Sequence, residues 1–272
     1  METQTIGVRA LAAELVRHHP PVGRLGLRLG DVRVVVRSND EGLLGDLRGY
    51  FAPFVDEGVD ARDGGIEIIA LDAPAPDLAG LEMQVRLPEP GKKSVKEAFA
   101  DLADGRIIRK LKTGVVFLIG GDVHLAIGAC RRWQNQIVNF VNNRFIEARM
   151  REGWLLCHAA AVARGERSLV LAGFSGMGKS TLSLRAMDTP GSIFISNDRV
   201  MLEREGDAVI VHGVPKHPRI NPGTILHNER LSWLLTPAER AEFAALEGDA
   251  LWGLEHKYDG LIHRSFGTGK LR

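Results

Sequence analysis

The first half of the chain has the hydrophobic spacing of β-strands. "RLGLRLGDVRVVVRS" places two apolar runs around the turn-forming pair Gly30-Asp31 and predicts a hairpin. "IEIIAL" and "VVFLIGGDVHLAI" predict further strands, and the second of these stretches turns at Gly120-Gly121. A helix is expected after Asp40, and the proline-rich "LDAPAPDLAGLEMQVRLPEPGKK" predicts a loop with one edge strand.

The spacing becomes helical after Cys130. In "RRWQNQIVNFVNNRFIEARMREG" the apolar residues share one helical face, and Gly153 ends the pattern, which predicts an amphipathic helix. That face comprises Trp133, Ile137, Phe140, Val141, Phe145 and Ala148. "WLLCHAAAVA" and "SLVLAG" then predict consecutive strands joined by "RGER", followed by a helix inside "GKSTLSLRAM" and a strand at "SIFIS". Strand, glycine loop, helix and strand in this order are typical of an α/β domain.

These elements predict two domains. Residues 1–130 form a β-rich N-terminal α+β domain, and residues 131–272 form an α/β domain. Near the end, "TPAERAEFAALEG" carries a capping box in which Thr236 is the cap and Glu239 the third helical residue, with Gly248 as the stop. We expect a helix there that carries no chemistry.

Composition limits the classes of partner. The 272 residues carry a formal net charge of +1, so the overall charge does not indicate binding to nucleic acid or to a membrane surface. Two cysteines, Cys130 and Cys157, cannot build a disulfide framework, and no Cys or His spacing matches a zinc site. The N-terminus predicts a short amphipathic helix ended by Pro20 and Pro21, without the apolar core of a signal peptide, so we expect a cytoplasmic protein.

The glycine loop is the strongest motif in the sequence. Residues 173–180, "GFSGMGKS", match G-x-x-x-x-G-K-[ST] at every position, between a predicted strand and a predicted helix. In such a loop the backbone amides converge on phosphates, Lys179 reaches the β and γ groups, and the Ser180 hydroxyl can bind Mg²⁺. The alternative is a glycine-rich turn. The expected nucleotide contacts come from Gly173, Phe174, Ser175, Gly176, Met177, Gly178, Lys179, Ser180 and Thr181.

A GTPase reading of the loop is disfavoured. The stretch Asp188-Thr189-Pro190-Gly191 spells the D-x-x-G of a GTPase switch, but it follows Lys179 too closely for a strand to intervene. Pro-Gly at this place predicts the end of the helix after the loop. No N-K-x-D follows to read guanine. We therefore expect ATP as the nucleotide.

Asp198 is the candidate catalytic carboxylate. It follows "SIFIS", and a parallel sheet would deliver it to the crevice at the carboxyl ends of its strands, where the phosphates lie. A carboxylate there can hold Mg²⁺ or accept the proton of an attacking hydroxyl. The alternative is an Asp that caps the turn in "NDR".

Three elements in order resemble a known family. His158 with the alanines after it, the glycine loop, and Ser196 to Val200 resemble the bacterial HPr kinase/phosphorylase family, and the HPr-kinase-related kinases in particular. The resemblance covers about residues 154–202. It implies a compact P-loop kinase domain akin to phosphoenolpyruvate carboxykinase, which transfers the γ-phosphoryl group of ATP to a serine hydroxyl. The founding members are hexamers, so the resemblance allows a homo-oligomer.

The resemblance also implies roles for single residues. Asp198 falls on the catalytic base and a metal ligand, His158 on the histidine beside that base, and Lys179 and Ser180 on the phosphate and magnesium contacts. On its own, a histidine among alanines is more often a core residue. The founding enzymes carry two adjacent aspartates where this chain has Asn197 and Asp198. An amide brings no charge to Mg²⁺, so we do not expect phosphorolysis of a phosphoserine protein.

The second basic stretch is "HGVPKHPRINPGT" at 212–224. Prolines hold Lys216 and Arg219 in a segment that cannot form an ordinary helix. Fixed cations stabilise the charge that develops on a transferring phosphoryl group, so both residues are candidate catalytic groups. The alternative is a solvated basic loop.

The sequence thus predicts an ATP- and Mg²⁺-dependent serine-type kinase that acts on a protein or peptide. Two alternatives stay open: a non-catalytic ATP-binding module, in which Asn197 marks a decayed site, and a kinase for a small hydroxyl-bearing metabolite. The N-terminal domain carries no motif and is expected to dock the acceptor or to mediate assembly.

Overall fold

The computed structural model describes residues 7–61, 64–87, 95–174, 177–246, 248–254 and 256–260. Ser175 and Gly176 of the glycine loop lie outside the described residues, as do residues 1–6 and the tail after residue 260. The chain divides into two compact units, Met1–Phe145 and Ile146–Arg272. The fold is mixed α/β, with one large mixed sheet and several small sheets.

An eight-stranded sheet forms the first unit. Its strands are β1 (Gly23–Leu29), β2 (Val32–Ser38), β3 (Ile66–Asp72), β4 (Gln84–Val85), β5 (Glu97–Leu102), β6 (Gly105–Lys110), β7 (Val116–Gly120) and β8 (Val123–Gly128). Their order is β1-β2-β3-β8-β7-β6-β5-β4, with β2–β3 and β3–β8 parallel and the other pairs antiparallel. Both predicted hairpins are present, and β4 is the edge strand that the proline-rich loop predicted.

Three helices accompany this sheet: α1 (Val8–His18), α2 (Glu41–Tyr50) and α3 (Gln134–Arg151). The Asp40 side chain caps α2 by accepting a hydrogen bond from the Leu43 amide at 2.6 Å. Helix α1 packs its apolar residues into a core with strands β3, β7 and β8. Helix α3 is the predicted amphipathic helix, and it buries Ile137, Phe140, Val141 and Phe145. The interior of the unit is therefore filled from the faces that the hydrophobic spacing predicts.

The second unit consists of short strands and short helices. Its strands are β9 (Leu155–Cys157), β10 (Ala159–Arg164), β11 (Arg167–Ala172), β12 (Ser192–Ser196), β13 (Val200–Glu205), β14 (Ala208–Gly213), β15 (Arg219–Ile220) and β16 (Tyr258–Asp259). Its helices are α4 (Lys179–Ala186), α5 (Pro222–Leu226), α6 (Pro237–Ala244) and α7 (Asp249–Trp252). The strands form three sheets, β11-β10-β12, β14-β13-β9 and β15-β16.

One predicted strand is in fact two. "WLLCHAAAVA" breaks at His158, so that β9 pairs with β13 while β10 pairs with β11 and β12. The three residues Ala159, Ala160 and Ala161 are fully buried. The sequence does not indicate the break, because both strands are apolar and hydrophobic periodicity carries no information about which sheet a strand joins.

The sheet around the glycine loop is not parallel, contrary to the prediction. Strand β10 lies between β11 and β12 and is antiparallel to both. The two-residue turn at Gly165, where φ is 58°, folds β10 and β11 into a hairpin, so β10 takes the place beside β11. Two strands antiparallel to the same neighbour run in the same direction. The carboxyl ends of β11 and β12 therefore still meet at one edge.

The small helices close the apolar core of the second unit. Leu184 of α4 and Phe194 of β12 belong to a buried cluster that includes Ile225 of α5 and Phe243 of α6. Helix α6 carries the predicted capping box, although it ends at Ala244 rather than at Gly248. Within the described parts of the chain, no helix combines the length and apolar character that a bilayer span requires.

Candidate active site

The described part of the glycine loop ends in an uncapped helix N-terminus. Helix α4 begins at Lys179, directly after Gly178, whose φ of 78° lies in the left-handed region that glycine adopts without strain. Glycine has no side chain with which to cap a helix. The amide N–H groups of the first turn are therefore left for water or for an anion.

Lys179 closes the loop. Its Nζ donates hydrogen bonds to the carbonyl oxygens of Gly173 at 2.7 Å and Phe174 at 3.0 Å. An ammonium group has three donors, so within the described part of the loop one donor is left for a phosphate oxygen. The side chains of Phe174 and Met177 are exposed. This arrangement fixes the ammonium beside the N-terminus of α4, a position suited to an anion.

A cleft of about 590 Å³ opens at this helix end. The volume lies in the range of pockets that hold ligands of nucleotide size. The structure brings most of the predicted site residues together in its lining, with Asn197 beside them: His158, Gly178, Lys179, Ser180, Thr181, Asp198, Lys216 and Arg219. The two candidate segments, glycine loop and basic stretch, thus face one common space.

Asp198 adopts an unusual backbone conformation. Its φ is 76°, the one positive φ at a non-glycine residue in the described parts of the chain. Asp and Asn tolerate this left-handed region better than other side chains, yet it is still sparsely populated. The turn around it is tied by Ser196, whose Oγ donates to the Arg199 carbonyl at 2.6 Å and accepts from the Val214 amide at 3.2 Å. The surroundings therefore hold the carboxylate in place at the cleft.

Two basic side chains face the Asp198 carboxylate. His158 Nδ1 lies 3.4 Å from Asp198 Oδ1, and Lys216 Nζ lies 3.9 Å from Asp198 Oδ2. The carboxylate itself is 48% exposed and accessible from the cleft. The carboxylate thus has two basic neighbours and retains a surface that a ligand can reach.

Lys216 is the more buried of the two predicted cations. Its side chain is 20% exposed, and burial lowers its pKa from the ordinary value of a lysine, against the opposite effect of the Asp198 carboxylate. Arg219 is exposed, with its Nε 3.9 Å from Asp259 Oδ1 and its guanidinium donating to the Lys257 carbonyl at 3.5 Å. The basic stretch therefore supplies one cation directed at Asp198 and a second one held at the side of the cleft.

Asn197 has the properties of a ligand-facing amide. It lines the cleft, is only 7% exposed, and its Oδ1 is buried without a hydrogen-bond partner among the described residues. A buried amide oxygen without a partner lowers the stability of the fold, because its hydrogen bonds to water are lost on folding and no other hydrogen bond replaces them. A metal ion, a water molecule or a ligand N–H would satisfy it.

The donor set fits Mg²⁺. Ser180, Asp198 and Asn197 all line the cleft and offer a hydroxyl, a carboxylate and a buried amide oxygen. The described residues contain no cluster of three His, Cys, Asp or Glu side chains that could hold a metal ion. Mg²⁺ does not require such a cluster, since it keeps several waters and is commonly bound through one carboxylate together with substrate phosphates.

The sequence analysis missed one wall of the cleft. Asn221, Thr224 and Trp252 line it as well, and the Thr224 hydroxyl lies 3.0 Å from that of Thr181 in α4. The stretch 212–224 was expected not to form an ordinary helix, but its last residues do: Pro222 begins helix α5, capped by the Asn221 side chain. The Asn-Pro pair was the available signal for this N-terminus.

Compared with known proteins, the chain matches no protein-family model and no curated protein. Its function has to be inferred from the geometry of the cleft. A helix N-terminus, a buried cation, and a carboxylate between basic groups suit the binding of an anion and the removal of a proton beside it.

Proposed function

We propose that the second unit is an ATP- and Mg²⁺-dependent kinase that transfers the γ-phosphoryl group to a serine-type hydroxyl of a protein or peptide. One observation carries the proposal: Asp198 lies in the same cleft as the N-terminus of α4, between the side chains of His158 and Lys216. A phosphate site alone would suit any nucleotide-binding protein. A fixed carboxylate beside it is what a phosphoryl transfer to a hydroxyl needs in addition.

Each residue has a defined task in the proposed reaction. Asp198 accepts the proton of the acceptor hydroxyl, whose oxygen forms a bond to the γ-phosphorus while the bond from that phosphorus to the bridging oxygen breaks, and ADP leaves. Lys179 and the first amides of α4 bind the phosphates. Lys216 and Arg219 stabilise the negative charge that develops on the transferring group.

Mg²⁺, when bound, neutralises charge on the β- and γ-phosphate oxygens and so favours departure of ADP. Ser180 and Asp198 would hold it, and the buried Oδ1 of Asn197 is a further neutral oxygen beside them. His158 would hydrogen-bond the Asp198 carboxylate and thereby orient it.

The order of motifs supports the same proposal. His158, the glycine loop and Ser196 to Val200 resemble the corresponding elements of HPr kinase/phosphorylase, a family of P-loop serine kinases. Asn197 stands where the founding members have a second aspartate, and for this reason the proposal covers the forward transfer only.

The test is transfer of label from γ-labelled ATP. The parent protein and Asp198→Asn are incubated with Mg²⁺, first alone and then with lysate of the source cell, and the products are separated into protein, peptide and small molecules. We expect label on protein or peptide with the parent and strongly reduced label with the variant. Label on a small molecule alone would identify a metabolite kinase instead.

A non-catalytic ATP-binding module is the second candidate, and the observation that favours it is Asn197 in place of a second acid. The two candidates separate cleanly. If the parent binds ATP in calorimetry but transfers no label to any fraction of the lysate, the kinase proposal is wrong and the binding module is the better description.

A further inference from the structure

Trp252 presents a large aromatic surface to the cleft. The residue is 49% exposed and lines the same space as Lys179 and Thr181. Most of the other lining residues are polar or charged, and the other large apolar side chains of the lining, Ile220 and Leu254, are not flat. A flat aromatic group in an otherwise polar site is a suitable platform for a flat ligand ring.

The indole is fixed before any ligand arrives. A Cβ atom on Gly223 would lie 2.9 Å from two of the indole carbons, so the ring packs directly against the backbone of α5. The Asn221 amide donates to the carbonyl oxygens of Trp252 at 3.4 Å and Leu254 at 3.3 Å. The His227 ring lies nearly parallel to the indole, at 22°. A ligand that stacks on this ring therefore meets a surface that is already ordered.

A continuous wall connects the indole with the phosphate end of the cleft. Thr181 in the first turn of α4 is hydrogen-bonded to Thr224 of α5 at 3.0 Å, and the next residue back, Gly223, supports the indole. A ligand with its phosphates at the start of α4 can extend along this wall and reach Trp252 with its far end. In a nucleoside triphosphate the far end is the base.

We propose that Trp252 is the platform on which the base of the bound nucleotide stacks. This inference rests on the proposed function, because the phosphates must first bind at α4. Stacking uses the π-face that every base has, so it confers affinity without reading the base edge. Purine nucleotides gain more than pyrimidine nucleotides because their rings cover more of the indole, and inorganic tripolyphosphate gains nothing.

Calorimetry with two ligands tests the platform. We compare Mg²⁺-ATP with Mg²⁺-tripolyphosphate on the parent, on Trp252→Ala and on Trp252→Phe. Loss of one base–aromatic stack should weaken ATP binding about tenfold in Trp252→Ala. Trp252→Phe should retain most of the affinity, and tripolyphosphate should bind all three proteins equally. An equal loss for both ligands in Trp252→Ala, or no loss for ATP, would overturn the inference.

Tryptophan fluorescence supplies an independent measurement. Stacking of a base on the indole should quench emission when ATP is added to the parent, and Trp252→Phe should abolish this response. Trp154→Phe is the matched control, because Trp154 stacks on His212 and lies outside the lining of the cleft. Trp154→Phe should still show quenching when ATP is added. Quenching that persists in Trp252→Phe would contradict the proposed platform.

The two proposals fail in different ways. If the parent binds neither tripolyphosphate nor ATP, the phosphate site is wrong and both proposals fall. If the parent binds both ligands, and Trp252→Ala binds ATP as tightly as the parent does, the platform alone is wrong.

Discussion

The imidazole of His158 and the carboxylate of Asp198 lie 3.4 Å apart. They are neighbours because the chain passes from one small sheet to another twice, once between β9 and β10 and once between β12 and β13, and the two passages lie side by side. Strand β9 pairs with β13, with Cys157 opposite Val200, and β10 pairs with β12, with Ala161 opposite Ser196. His158 connects β9 with β10, and the segment around Asp198 connects β12 with β13. Both side chains therefore leave the sheets at one crossing point, beside the cleft.

Asp198→Asn is expected to separate chemistry from binding. An amide cannot accept the proton of the acceptor hydroxyl, so phosphoryl transfer should fall by about 10²- to 10⁴-fold. Asn tolerates the left-handed backbone of this position, so the fold should persist. Transfer of γ-label and calorimetry with ATP measure the two effects. If Mg²⁺ at high concentration restores part of the rate, Asp198 acts chiefly as a metal ligand.

Asp198→Gly tests the backbone conformation itself. Glycine adopts a φ of 76° without strain, so the variant should be as stable as the parent or up to about 1 kcal/mol more stable, while it loses transfer. Asp198→Ala is the matched comparison and should be less stable than Asp198→Gly. Denaturant unfolding measures all three proteins, and an alanine variant as stable as the glycine variant would contradict the strained conformation.

Lys179→Ala should weaken ATP binding. The substitution removes the ammonium that bonds to Gly173 and Phe174 and that would reach the phosphates. The exposed Arg185, which pairs with Asp188 at the end of α4, offers a control of equal charge change in Arg185→Ala. Calorimetry with ATP should show a loss for the first variant only; equal affinity in Lys179→Ala and the parent would place the nucleotide elsewhere.

Lys216 should make transfer sensitive to alkaline pH. Burial lowers its pKa, and an amine carries its charge only below its pKa, so the stabilising charge is present below that lowered value and is lost as the pH rises through it. Lys216→Arg keeps the charge throughout the alkaline range, and its rate profile should extend to higher pH. The exposed Lys112→Arg exchange, outside the cleft, should leave the profile unchanged.

Stability provides a second measurement of the same group. Between the lowered pKa of Lys216 and its ordinary value of 10.5, the unfolded chain binds a proton that the folded chain does not. The free energy of unfolding contributed by this residue should therefore rise with pH in that window. Lys216→Met removes the contribution, and a parent and variant with parallel pH dependence would contradict it.

Arg219→Ala should lower kcat with little effect on ATP affinity. If the guanidinium stabilises developing charge, its loss should cost about 10²- to 10³-fold in kcat. Asp259→Asn removes the carboxylate that lies 3.9 Å from the Arg219 guanidinium. Because this carboxylate only helps to position Arg219, its loss should lower kcat less than the loss of Arg219 itself. Unchanged turnover in Arg219→Ala would identify the basic stretch as a solvated loop.

Thr236→Ala should reduce stability and leave binding intact. Thr236 and Glu239 form a reciprocal capping box at the start of α6, and Glu239 also accepts a hydrogen bond from Tyr258 at 2.8 Å. Loss of the cap should cost about 1 kcal/mol in denaturant unfolding. Because Thr236 does not line the cleft, calorimetry should give the ATP affinity of the parent.

Much of the fold could be predicted where hydrophobic spacing and turn residues agree. The hairpin at Gly30 and the capping box at Thr236 have both signals, and both are present. The hairpin of β5 and β6 was missed although Asp104-Gly105 is a hairpin signal, because the flanking strands mix charged and apolar residues on partly exposed faces. The pairing of β10 with β11 had a local signal in the turn at Gly165, whereas the pairing of β10 with the distant β12 had none.

The sequence motifs pointed to several residues that line the candidate site but not to all of its walls. The motif residues Lys179 and Asp198 face one cleft, and they are recognisable because phosphate binding and proton transfer restrict the residue type. The role proposed for Trp252 rests on its shape and place alone. An aromatic residue in an amphipathic segment is usually a core residue, so tertiary structure was needed to find it.

The left-handed backbone at Asp198 bears on how this protein can change over evolutionary time. The residues that fit such a position best are Gly, Asn and Asp, and Gly and Asn codons are each a single nucleotide away from an Asp codon. A lineage can thus lose the carboxylate in one mutational step and still inherit an intact fold. Purifying selection against those two substitutions, in a position where the fold itself would accept them, would be the genetic signature of a working base.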